Sequence, residues 1–297
     1  MTNTQGLIFF SMTLMTASLA SAQNNSIEQE QGGSGNFASA EQRRSTAKGN
    51  TITQDQDGAY NSSYAVQQSE QGSEILQLQE GALNQAYSLQ QYGDDNTNTQ
   101  LQLGGRNKAI TVQLASYGSD SVTRQRGLSN NGEVRQTLTV RNRAQVDQSG
   151  ILLDASILQY NSYISMAFIS QSGTDNNADI EQSGVGNSAL ESQAGESNLT
   201  DTGQNGFFND IDVTQDGIAN RALAEQGDWY NSADISQGGN FNAVTLQQAG
   251  TFGQGGSHLA IISQSGNQNN VGLLQQGFSA TAIITQTGGG NTVSLSQ

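Results

Sequence analysis

Residues 176–193 run NNADIEQSGVGNSALESQ, and the same short phrase is repeated on both sides of them. Asn176, Ala178, Ile180 and Gln182 mark every second position, a link passes through Gly184, and Asn187 and Gln193 open and close the next copy. From Ser165 to Gln248 eight copies follow at a spacing of eleven residues, closed by Gln171, Gln182, Gln193, Gln204, Gln215, Gln226, Gln237 and Gln248. Asn176, Asn187, Asn198, Asn209, Asn220, Asn231 and Asn242 open seven of them. Marks at alternate positions define one face of a β-strand, because successive side chains point to opposite sides. Asn, Ala, Ile and Gln therefore share a face. Each seven-residue strand is followed by a four-residue link, and except after Gln226, where Asp228 takes the place, a glycine stands two places after the closing glutamine. Gly173, Gly184, Gly195, Gly206, Gly217, Gly239 and Gly250 hold this place, then Gly266, Gly277 and Gly288. Glycine supplies turn geometry that other residues resist.

Working outward, the phrase weakens but keeps its phase. Asn25, Ile27, Gln29 and Gln31, then Asn36, Ala38, Ala40 and Gln42, give two degenerate copies before an irregular stretch around Arg43, Arg44 and Lys48. From Gln56 the closing glutamines fall at 67, 79, 90, 102, 113, 125, 136, 148, 159 and 171, in steps that alternate between eleven and twelve. A feature that recurs at every second strand belongs to one side of a coil, so the unit is two strands. Gln29, Gln54, Gln77 and Gln100 agree, standing in odd strands at a position where even strands carry Ala40, Ala65, Ser88 and Thr111. After Gln248 a glycine-rich insertion at 249–257 adds five residues, and Gln264, Asn269, Gln275, Gln286, Asn291 and Gln297 restore the beat. The expected fold is all-β: a β-solenoid of about twelve two-strand coils, cross-β-like, roughly 55 to 60 Å long at ~4.8 Å per coil, with no visible capping segment.

Leu, Ile, Val and Phe make about a fifth of the chain and the net charge is -15, a combination that by itself suggests disorder. The repeat overrides that prior, since a repeat array grows in one dimension and each unit needs only its neighbours. Proline is absent, as a chain that is nearly all ladder requires. Cysteine is absent too, so there is neither a disulfide framework nor a thiolate metal site. The acidic balance argues against nucleic acid as a partner. Leu7 to Leu19 form an apolar run too short to span a bilayer, and Ala20, Ser21 and Ala22 suit a signal-peptidase site. Residues 1–22 are thus expected to be a signal peptide, 23–49 degenerate repeats or a targeting segment, and 50–297 the solenoid.

A buried amide is costly unless fully bonded, and in a stack of like coils each can donate to one neighbour and accept from the other. Such ladders characterise cross-β assemblies. On these residues the chain resembles the curlin subunits of curli, the extracellular amyloid fibres of bacterial biofilms. That family's repeat, Ser or Asn, five residues, Gln, x, Gly, two residues, Asn, five residues, Gln, is met by Asn176 through Gln182, Gly184, Asn187 and Gln193. The resemblance implies secretion through an outer-membrane pore, a nucleating subunit, and templated polymerisation into cell-surface fibres that serve adhesion. The chain has about twice the repeats of a familiar subunit, and the family's glycine-rich targeting segment is not obvious in it.

No catalytic, metal or cofactor site is expected. His258 stands where the repeat expects Asn, with no acid or nucleophile partner in sight. Asp210 and Asp212 share one face of one strand, the outward one. Gly32, Gly33 and Gly35 approach a calcium-binding nonapeptide, but Asn36 replaces the Asp it needs. Phe208, Tyr230, Phe252 and Phe278, with Trp229, gather at one edge, where covering the turn is the simpler role. Glu191 alone puts a carboxylate at an inward position, a local fault or a group held neutral. Two rival functions, a monomeric solenoid adhesin and a polysaccharide-binding or -cleaving β-helix, would need capped ends or a constellation of acids on one face.

Overall fold

The computed structural model describes residues 24–43, 48–250 and 255–297. The expected signal peptide and Phe252 lie outside the described residues. The chain forms two parallel sheets of twelve strands each, with no helix among the described residues. The first sheet holds the odd strands: β1 (Ser26–Gln31), β3 (Thr51–Ala59), β5 (Glu74–Ala82), β7 (Thr97–Gly105), β9 (Asp120–Leu128), β11 (Arg143–Ile151), β13 (Met166–Thr174), β15 (Ser188–Glu196), β17 (Asp210–Ile218), β19 (Ser232–Asn240), β21 (Leu259–Asn267) and β23 (Thr281–Gly289). The second holds the even strands: β2 (Phe37–Arg43), β4 (Ser62–Gln68), β6 (Gln85–Gln91), β8 (Lys108–Leu114), β10 (Asn131–Thr137), β12 (Asp154–Tyr163), β14 (Asn177–Val185), β16 (Leu199–Phe207), β18 (Arg221–Trp229), β20 (Ala243–Ala249), β22 (Asn270–Gln276) and β24 (Thr292–Ser296). The chain crosses from one sheet to the other after every strand, so each coil contributes one strand to each sheet. This is a β-solenoid, as the two-strand period requires.

Register follows the phase of the sequence. Gln54 lies opposite Gln77, and Gln77 opposite Gln100. Ala178, Ile180 and Gln182 of β14 lie opposite Thr200, Thr202 and Gln204 of β16. A slip of one residue would turn every inward side chain out, and one correction keeps the phase where the coil shortens. Between Gln159 and Ser162 of β12 a bulge absorbs the extra residue against β14, and beyond it the turns on that edge lose one residue.

The links hold more ladder than the spacing suggests. β14 runs through Gly184 to Val185, so Gly184 pairs with Gly206 inside the sheet. The sharp corner falls just before the opening Asn, where Asp175, Ser197, Ala219, Phe241 and Gln268 adopt the left-handed conformation with φ of 54–58°. Ordinary residues visit that region at a cost. The glycines two places after each Gln sit elsewhere, with φ of 103° at Gly173 and Gly184, 109° at Gly195 and 126° at Gly217. There a Cβ would be driven into the carbonyl oxygen of the equivalent glycine in the next coil. Gly206, Gly239, Gly266, Gly277 and Gly288 are also at positive φ, whereas Gly250 is not.

The core changes character along the stack. Ala222, Ala224, Ile235, Leu246, Ile262, Leu273 and their neighbours form one apolar cluster from β17 onward, which includes the charge-free segment after Asp234. Towards the other end the apolar core thins to Ile52, Ala65 and Ile75, and amides take its place.

Candidate functional site: amide ladders and their open ends

The closing glutamines form two unbroken hydrogen-bonded columns. In the first sheet the side-chain Nε2 of Gln171 donates to Oε1 of Gln193 at 2.8 Å, Gln193 to Gln215 at 3.0 Å, Gln215 to Gln237 at 2.7 Å, Gln237 to Gln264 at 2.9 Å and Gln264 to Gln286 at 2.8 Å. In the second, Gln182 donates to Gln204 at 2.8 Å, Gln204 to Gln226 at 3.0 Å, Gln226 to Gln248 at 2.8 Å, Gln248 to Gln275 at 2.8 Å and Gln275 to Gln297 at 3.2 Å. The columns begin at Gln31 and Gln42. The second Nε2 hydrogen ties the two sheets together, as when Gln182 donates to the Met166 carbonyl at 2.9 Å and Gln204 to that of Ser188 at 2.7 Å. Both amide hydrogens and one acceptor pair are thereby used, which is what makes burial of a Gln tolerable.

The opening asparagines bond differently. Each side-chain Oδ1 accepts the backbone N–H of its equivalent in the next coil: Asn176 from Asn198 at 2.9 Å, Asn198 from Asn220 at 3.0 Å, Asn220 from Asn242 at 3.1 Å, Asn242 from Asn269 at 3.1 Å and Asn269 from Asn291 at 3.3 Å. In the other column Asn187 accepts from Asn209 and Asn209 from Asn231. The Asn Nδ2 reaches the turn glycine of the next coil, as Asn187 does at the carbonyl of Gly206 and Asn198 at that of Gly217. It also closes its own preceding turn, Asn176 to Ser172 at 2.8 Å and Asn187 to Ser183 at 2.7 Å. The spacing of Gln, Gly and Asn is thus one bonding unit.

The Gln columns have a direction. Each amide donates towards the next coil and accepts from the previous one. Among the described residues nothing donates to Oε1 of Gln29, Gln31 or Gln42, and no glutamine follows Gln286 in its column. β1 and β2 lie at one edge of the stack, β23 and β24 at the other, and each edge strand pairs on one side only. Within the described stack the β1–β2 edge shows side-chain acceptors and the β23–β24 edge side-chain donors.

Other singled-out residues are placed as follows. His258 is buried in the Asn column: its N–H donates to Oδ1 of Asn231 and its Nδ1 accepts from Ala280 N–H at 3.1 Å, so it stands in for an asparagine. Asp210 and Asp212 face outward, and Asp212 lies opposite Asp234. Partial desolvation, and next the Asp234 carboxylate, raises the Asp212 carboxyl above its ordinary range. The aromatics form two short files along one edge, Phe207 edge-on to Trp229 at 5.9 Å and Phe208 stacked on Tyr230 at 5.4 Å.

Glu191 lies fully buried between Ile169 and Val213 of the neighbouring strands. One carboxyl oxygen accepts from the Thr200 hydroxyl at 2.6 Å and the other has no partner. Burial pushes its pKa up to about 8, against the lowering effect of Thr200 and Thr202. The folded chain keeps this proton to about pH 8 whereas the unfolded chain releases it near the ordinary carboxylate value. Stability therefore falls as pH rises through that window, by on the order of 5 kcal/mol in all. Glu191→Gln is expected to match the parent below the window and exceed it above, since Gln fits this column at Gln77 and Gln100. Guanidinium midpoints of both chains at the two ends of the window check this; parallel pH dependences would sink it.

One buried group escaped the sequence reading. The extra residue of a longer turn is buried at Glu70, Ser116, Thr139 and Ser162, and at Glu70 it is a carboxylate that accepts Gly93 N–H at 2.8 Å, Ser73 Oγ at 2.8 Å and Asn96 Nδ2 at 3.2 Å. Burial raises its pKa and the three donors oppose that. The alternation of eleven and twelve located this residue, but only the structure shows which way it faces.

No family model matches the chain, and no curated protein is significantly similar to it. What the fold defines is a class: a parallel two-sheet β-solenoid of stacked repeats, bonded through directional amide columns.

Proposed function

We propose that the chain is a structural subunit of extracellular curli-like fibres, polymerising end to end by strand templating. The observation that carries this reading is the polarity of the amide columns: every coil donates to the coil on one side and accepts from the coil on the other, so the two faces of a coil are complementary and a further copy can be added by the same bonds. An unpaired strand edge is already a template for pairing, and the glutamines add a direction, so growth is head to tail. The curlin-like spacing of Asn, Gln and Gly is what suggests the extracellular setting, with a nucleating subunit and an outer-membrane pore as partners.

Diluted from denaturant, the chain without residues 1–22 is expected to start with little β-structure and to form dye-binding fibres after a lag. The lag shortens with concentration and vanishes on adding fragmented fibres. A stable monomer already rich in β-structure, which neither elongates nor responds to fragments, would refute the proposal.

A further inference from the structure

The outward face of the even-strand sheet carries one block of apolar side chains unlike its surroundings. Tyr64 of β4, Tyr87 and Leu89 of β6, and Ile110 and Val112 of β8 form a patch three strands deep, in register, with Tyr64 and Tyr87 stacked at 5.5 Å, while Val66 beside Tyr64 is already buried. β2 on one side carries the ion pair Glu41–Arg43, and β10 on the other carries Glu133–Arg135. Over these five strands the outward charges are Glu41, Arg43, Lys108, Glu133 and Arg135, two acidic and three basic, in a chain of net charge -15. It is a face on which a second copy is not repelled.

We propose that this face pairs laterally with the same face of a second copy, about a two-fold axis that runs along β6 between the two sheets. That operation keeps strand direction and reverses the order of coils. β6 then lies over its own image and β4 over β8, so that Tyr64 meets Ile110, Val112 lies over the covered Val66, and Tyr87 and Leu89 meet themselves. β2 lies over β10, with Glu41 facing Arg135 of the second copy, once on each side of the axis. A contact of this kind is self-complementary, as an isologous interface must be.

The surface beyond the block fits the same operation, and here the inference rests on end-to-end stacking. In a continuous stack of units with twelve strands per sheet, β12, β14 and β16 lie over β24, β22 and β20 of the opposing filament. The first three carry Asp154, Asp179, Glu181 and Asp201, and the last three carry no charge at all. β18 faces its own image, so Arg221 lies over Arg221 and Glu225 over Glu225, and this one strand opposes the pairing. The charge-free end of the chain thus provides the surface on which the acidic middle is not repelled. The three-strand block alone covers roughly 330 Å² per copy, and the five strands from β2 to β10 roughly 550 Å², from strand spacing and rise, both below the ~800 Å² of a standard stable interface. Pairing is therefore weak between single copies and becomes firm when stacked copies present the face in a row. The paired fibre loses the polarity of its filaments, since each end shows one donor end and one acceptor end.

The test compares fibres of the parent, Glu41→Arg, Arg135→Glu and the double variant Glu41→Arg with Arg135→Glu, read as mass per length by scanning transmission electron microscopy. The parent is expected to have twice the mass per length of a single stack, each single variant to fall by half, and the double variant to return to the parent value. Glu41 and Arg135 are separated by three strands within one copy, so rescue by the double exchange has to act between copies. Fibres of single-stack mass in the parent, or a double variant no better than the singles, would overturn the pairing and leave end-to-end growth standing. A chain that forms no fibres overturns the stacking reading and the pairing with it.

Discussion

Gly195→Ala is expected to cost about 3 kcal/mol or more, while Gly203→Ala, only eight residues away, is expected to be neutral or to gain about 0.4 to 1 kcal/mol. Gly195 adopts φ of 109°, outside the left-handed region that other residues tolerate, and an added Cβ would collide with the Gly217 carbonyl oxygen. That oxygen cannot retreat, because it is fixed by the ladder and accepts from Asn198 Nδ2 at 3.0 Å. The strain passes along a column in which Gly173, Gly195, Gly217 and Gly239 each abut the next. Gly203 lies in β16 at an ordinary strand φ, facing outward, and a Cβ there meets nothing within 4 Å. Alanine at that position removes only unfolded-state freedom. Guanidinium midpoints followed by far-UV circular dichroism would separate the two. Equal midpoints would mean that the column yields, and that glycine marks these turns for some reason other than close approach of coils.

The contrast also shows what the sequence carries and what it hides. The phase of Gln182, Gln193 and Gln204 is enough to identify strands, and the alternation of eleven and twelve is enough to place two strands in a coil, because both express a constraint repeated in every unit. The register of Gln54 on Gln77 follows directly. Three things leave no signal of that kind, two because they occur once and one because the sequence reads the same either way. The bulge between Gln159 and Ser162 occurs once, where the long coil becomes the short one. Glu70 becomes an inward carboxylate only because its turn holds one more residue than the later ones. The direction of the amides is invisible as well, since an amide ladder can in principle run either way; it is the carbonyls of the opposite sheet, such as that of Met166 on Gln182, that orient the Nε2 groups. The outward block of Tyr64, Tyr87 and Ile110 was discoverable, but at a separation of 23 residues set by coil length and not by the eleven-residue phrase.

Gln182→Ala is the second substitution with a large expected effect, because it breaks the column and a bridge between sheets at once. Gln182 accepts from Gln159 Nε2 at 2.9 Å, donates to Gln204 Oε1 at 2.8 Å and donates to the Met166 carbonyl at 2.9 Å. Alanine leaves the buried Gln159 and Gln204 amides and the half-buried Met166 carbonyl with one bond fewer each. At ~1 to 3 kcal/mol for each group left unsatisfied, the loss is about 3 kcal/mol or more, reduced where a water can enter the space. Asp179→Ala, on the outer face of the same strand, should act in the opposite sense. Partial desolvation and the in-register Asp201 hold the Asp179 carboxyl above its ordinary range, so its charge opposes folding at neutral pH and its removal is neutral or mildly stabilising. Gln182→Glu separates lost bonding from lost volume. A carboxylate keeps the size of the amide but has no hydrogen to offer Gln204 or Met166. It should therefore be as harmful as alanine at neutral pH and should recover in part in acid, where protonation restores one donor. Midpoints and seeded growth rates of the three variants, at neutral and acid pH, check the argument. If Gln182→Ala and Asp179→Ala behave alike, or if Gln182→Glu shows no recovery in acid beyond that of the parent, the amide column does not hold the coils together.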